Sequence, residues 1–106
     1  SHEGIDADPF LYRKEAVYFQ VEVGRFYKEV PPEFTNLLFK HTDENILQEE
    51  TFDEEWVYFT ENVYTYEDAE KLKEHLIEIG FTDSKIIAFH KYTRISVEKA
   101  RKILEQ

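Results

Sequence analysis

The chain has 106 residues, enough for one modest hydrophobic core and too few for two. Its apolar content of 42%, with nine Phe, seven Tyr and one Trp, is that of a folded chain; 13 basic against 23 acidic residues give a net charge of −10, which repels the phosphates a nucleic-acid surface must neutralise. The absence of cysteine excludes a disulfide framework, a thiol nucleophile and a cysteine zinc site, and no apolar run approaches the roughly 20 residues of a membrane-spanning helix.

Residues 1–14 are polar and acidic and read as a linker or tag remnant ahead of a single domain over 15–106. "EAVYFQVEVGRF" (15–26) alternates, with Val17, Phe19, Val21 and Val23 to one side and Tyr18, Gln20 and Glu22 to the other. That is the pattern of a half-buried strand, and Gly24 marks a bulge or tight turn at its end. The prolines of "VPPEFTNLLFK" suit a helix start, so a short helix is expected over 31–40 with Phe34, Leu37 and Leu38 on one face. Two short strands follow, 46–50 and 55–60, joined by a polar turn around Asp53. In the second, Trp56, Tyr58 and Thr60 lie to one side and Val57 and Phe59 to the other, and either side suits a core.

"TYEDAEKLKEHLIEIG" (65–80) is a helix capped by Thr65, with a stripe of Ala69, Leu72, Leu76 and Ile79 and with Gly80 just past its end. "SKIIAFH" is a buried strand, and "RISVEKARKILEQ" a last helix capped by Ser96 with Val97, Ala100 and Leu104 inward. Strand–helix–strand therefore occurs twice. Such a chain makes an α+β fold: a four-stranded antiparallel sheet with the 31–40 and 66–79 helices on one face, and the other face left to solvent or a ligand.

No catalytic constellation is visible. His2, His41, His75 and His90 share no metal-ligand spacing, no carboxylate pair has a convincing partner, and the three glycines form no phosphate loop. The chain reads as a non-enzyme with no cofactor and no metal.

Several stretches together carry a resemblance: "VYFQVEVGRFYK", the short proline-bearing helix "VPPEF", "WVYFTENVYTYEDAEKLKEHLIEIGFTDSKIIAFHKYTRIS" and the trailing helix, about residues 15–100 in all. The chain resembles the SPOR (sporulation-related repeat) domain, in the variety seen in envelope proteins of Bacteroidota. The family's V-x-V-G-x-F is present as Val21, Val23, Gly24 and Phe26. In the second repeat Glu61 and Val63 stand where a glycine and an aromatic are usual, and the turn "HKYTR" after the last strand has no glycine either.

The resemblance implies a ferredoxin-like βαββαβ module with a C-terminal helix. It also implies non-catalytic binding of peptidoglycan glycan strands denuded of stem peptides, a carbohydrate-binding role in cell division, and a periplasmic or cell-envelope location reached by an export signal or anchor outside this sequence. It places Trp56 and Tyr58 inward and Val57 and Phe59 outward. The alternative is a degenerate SPOR-like domain whose partner is another envelope or division protein.

Six residues are glycan-binding candidates under the resemblance. The Gln20 amide suits sugar hydroxyls and N-acetyl groups, and Tyr18 either lies against a sugar ring or covers its sheet neighbour. Glu22 either meets a glycan hydroxyl or is simply exposed, and Phe59 is an outward aromatic. Arg25 and Lys85 suit a muramic carboxylate, or else form surface salt bridges.

Overall fold

The alternation in "VYFQVEVGRFY" produces β1 (Val17–Tyr27), the middle strand of the sheet. The computed structural model describes residues 16–105; the 1–14 stretch read as a linker lies outside the described residues. After β1 come α1 (Pro32–Lys40), a single 3-10 turn (Thr42–Glu44), β2 (Leu47–Glu50) and β3 (Glu55–Phe59). They are followed by α2 (Tyr66–Glu78), β4 (Lys85–His90), β5 (Thr93–Ile95) and α3 (Val97–Leu104).

The sheet runs β2-β3-β1-β4-β5, and every neighbouring pair is antiparallel. The element order through β4 is the expected βαββαβ. The four-stranded sheet is corrected to five, because residues 93–95, read as the approach to the last helix, form a hairpin with β4 instead. The hairpin turn is Lys91–Tyr92, and both residues have positive φ, 54° and 70°. A two-residue turn of that hand normally takes Asn-Gly, so the sequence carried no hairpin signal there.

The inward side of β1 is fully enclosed. Val17 and Phe19 pack with Ala69, Ala88 and Ala100 beneath α2 and α3. Val21 and Val23 pack with Tyr58, Leu76 and Phe81, joined by Phe34, Leu37 and Leu38 of α1 and by Trp56. All three helices therefore lie on one face of the sheet. Burying each large apolar side chain contributes about 1.5–3 kcal/mol, so these clusters outweigh the helix caps at about 1 kcal/mol apiece. The caps fix the ends instead. Thr65 Oγ1 accepts from Asp68 N and Ser96 Oγ from Lys99 N, each at 3.0 Å. At the end of α2, Phe81 N donates to Leu76 O at 2.8 Å and Gly80 N to Ile77 O at 3.1 Å, with Gly80 at φ +125°. This double bond pattern closes a helix where a left-handed residue follows it.

The Trp56 and Tyr58 side of β3 is inward, leaving Val57 and Phe59 on the opposite face. Beyond β3 the glycine-free turn is built on Thr60, whose hydroxyl accepts from Val21 N at 2.9 Å and donates to Glu61 O at 3.0 Å. The ladder then resumes as a bridge between Phe19 and Val63.

Gly24 sits at a bulge: Glu22 pairs with Phe59 and Gly24 with Tyr58, so two steps of β1 oppose one step of β3. The extra residue reverses the alternation, which turns Phe26 inward against Phe34 and brings Arg25 to the face that holds Glu22. The requirement at Gly24 is space. A Cβ there would stand 2.8 Å from the rings of both Phe26 and Phe34. Gly24→Val should therefore destabilise the fold by about 1–3 kcal/mol, the usual cost of overpacking a filled site. A urea midpoint equal to that of the parent chain would show that the two rings yield freely.

Candidate functional site

The side chains of β1 that point away from the helices line a concavity of about 310 Å³. Its floor is apolar: Tyr18, Val57 and Ile87 are only 8%, 7% and 5% exposed. Tyr18 stacks on Phe89 with ring centroids 4.9 Å apart and planes 14° apart, and the exposed Tyr92 ring lies 6.4 Å from Tyr18. Burial, with smaller effects from Tyr92 and Tyr64, pushes the Tyr18 phenol above its ordinary pKa. Phe59 from β3 and Phe89 from β4 are half-buried walls, while Glu49, Thr51 and Arg94 reach the groove from its two sides.

The charged centre is Glu22, which is 5% exposed. Arg25 Nη2 donates to it at 2.9 Å, and Arg25 Nη1 donates to Glu55 at 2.8 Å. Lys85 Nζ stands 3.8 Å from the second Glu22 oxygen. The hydrogen bond to Glu22 leads the effects that raise the Arg25 pKa, with Glu55 adding to it against a desolvation cost. Gln20 donates its amide N–H to Asn62 Oδ1 at 3.0 Å, and its carbonyl oxygen accepts no hydrogen bond among the described residues.

Five of the six candidates thus meet in one groove: Tyr18, Gln20, Glu22, Arg25 and Phe59. Lys85 reaches it only through Glu22. One expectation is corrected, the exposure of Glu22, and one alternative is selected, for Tyr18. Glu22 is not an exposed carboxylate, because Arg25 and Lys85 draw it into an ion-pair network. Tyr18 covers its neighbour Phe89 and is floor, so the exposed ring at that end is Tyr92, 64% exposed. Sequence reasoning missed Phe89 and Arg94. The outward alternation of Ile87 and Phe89 was a usable signal, but the one for Arg94 was hidden with β5.

A larger concavity of about 500 Å³ lies between α1 and β2, lined by Leu38, Phe39, His41, Ile46 and Leu47 among others. Its polar side chains include Gln48, whose amide is already bonded to the Tyr58 hydroxyl at 2.7 Å. The sheet groove is smaller and differs in carrying two arginines, Arg25 and Arg94, beside its aromatic and amide groups. Among the described residues no group of three or more His, Cys, Asp or Glu side chains is placed to hold a metal ion, and no helix is long and apolar enough to cross a membrane. Comparison with protein-family models, curated proteins and solved structures finds no match to the chain.

Removing one partner of a fully buried ion pair costs about 3–5 kcal/mol. Arg25 is 39% exposed and Lys85 stands by, so Arg25→Gln should cost about 1–2 kcal/mol. The double change Glu22→Gln with Arg25→Gln should cost less than Arg25→Gln alone, since no buried charge is then left behind. Urea unfolding of the parent and the two variants checks this; a double variant less stable than Arg25→Gln alone would mean that Glu22 is not left as an uncompensated charge when Arg25 is lost.

Proposed function

We propose that this chain is a single non-catalytic module that binds peptidoglycan glycan strands in the bacterial cell envelope, favouring strands stripped of their stem peptides. The observation that carries the reading is the groove on the helix-free sheet face. A pyranose ring has an apolar face and a rim of hydroxyls, and the groove offers aromatic walls in Phe59 and Phe89 with polar groups from Gln20 and Thr51 beside them. The motifs shared with SPOR domains lead to the same strand, since Val21, Val23, Gly24 and Phe26 build the β1 segment that supports the groove.

A second reading, a protein-interaction module in the envelope, is favoured by a different place. Edge strand β2 is exposed along all four residues, its Leu47 by 42%, and Phe39 of α1 is 75% exposed. A strand edge of that kind accepts an extended peptide.

Co-sedimentation with purified peptidoglycan, before and after amidase treatment, separates the two. The chain should be retained on stripped strands. Gln20→Ala should weaken that retention about fivefold, the worth of one lost hydrogen bond of about 1 kcal/mol, with the melting temperature nearly unchanged. Tyr18→Ala should lower binding and melting temperature together, because Tyr18 is floor. Failure of the intact chain to bind stripped strands at any ionic strength overturns the glycan reading and leaves the protein one.

A further inference from the structure

Among the described residues two cations line the groove, and they differ in one respect. Arg25 is held between Glu22 and Glu55, whereas Arg94 makes no hydrogen bond or ion pair among the described residues. Arg94 is exposed on β5 and pairs across the hairpin with Phe89, so its guanidinium projects beside the Tyr18–Phe89 stack. The hairpin that brings it there is held in an unfavourable form: Lys91 and Tyr92 both take left-handed backbone without being glycine, which costs stability and persists only where the surroundings enforce it. The groove is polarised as well. Glu49 enters from β2 at one edge of the sheet and Arg94 from β5 at the other, four strand spacings or roughly 19 Å apart.

We infer that Arg94 is the specificity-determining residue of the groove, binding the free lactyl carboxylate of a glycan strand whose ring lies against Phe89 and Tyr92. The inference rests on the glycan reading above. A guanidinium fork matches a carboxylate bidentately, and an unpaired one gives up no existing partner to do so, unlike Arg25. In intact peptidoglycan that carboxyl group is tied up as the amide of the stem peptide. Amidase action frees it as a carboxylate, so Arg94 distinguishes stripped strands from intact ones by charge. The polarity of the groove orients the strand, with the carboxylate at the β5 edge and away from Glu49.

The test measures dissociation constants for stripped strands and for the same strands with their lactyl carboxylates reduced to alcohols. The parent chain should bind the carboxylate form about five- to tenfold more tightly, as expected of one exposed charge-assisted contact. Arg94→Gln should bind both forms alike, at the parent's affinity for the reduced form, and Arg94→Lys should keep part of the preference. Equal binding of the two forms by the parent chain overturns the inference while leaving the glycan reading intact, as does a preference that survives in Arg94→Gln. Binding of neither form by the parent chain overturns both. The comparison of the two ligands on the parent chain needs no variant, so it decides the matter even if an Arg94 change disturbs the hairpin.

Discussion

The arrangement depends on one irregularity in one strand, the bulge at Gly24. Before it, β1 sends Val17, Phe19, Val21 and Val23 into the helix-covered core and Tyr18, Gln20 and Glu22 to the other face. A regular strand would continue by placing residue 25 inward and residue 26 outward. The extra residue reverses this, so Phe26 joins the rings of Phe34 and Tyr58 while Arg25 lands beside Glu22. Core and groove are thus consequences of the same backbone step. The missing side chain at Gly24 makes the step possible, because both aromatic rings occupy the space a Cβ would take.

The bulge also explains how an acidic chain keeps a nearly buried carboxylate at the centre of a sheet. An isolated charge there would be expelled or neutralised by the cost of desolvation. Glu22 is instead held by the Arg25 fork with Lys85 nearby, and Arg25 is shared with Glu55 on the neighbouring strand. Such a pair adds little net stability compared with apolar packing, but it fixes which side chains meet on that face. It also occupies the Arg25 guanidinium, which leaves Arg94 as the unpaired cation of the groove among the described residues.

The helices and the first strand were legible because each rests on local chemistry: the alternation of β1, Pro32 at the start of α1, the Thr65 and Ser96 caps, and Gly80 past α2. The facing of β3 was not legible from its own pattern, since Trp56–Tyr58 and Val57–Phe59 are equally apolar; only packing against Phe34 and Phe81 decides it, and the family resemblance supplied the right side. β5 was illegible for a different reason. Its turn uses Lys91 and Tyr92 where glycine is the usual signal, so local propensity and tertiary pairing disagree there. The candidate site was correspondingly half visible. Its β1 members follow from alternation, but their partners from β4 and β5 required the register, and the burial of Glu22 required the bulge.

On the proposed reading, the helix-free face around β1, and not the exposed edge at β2, takes the glycan. The most direct measurement is two-dimensional NMR of the chain titrated with stripped glycan strands. Shift changes should gather on the Gln20 side-chain amide and on the backbone of Arg25, Phe59, Phe89 and Arg94, with α1 and β2 silent. Changes centred on Phe39 and Leu47, or spread over the outer surface of α2, would contradict it.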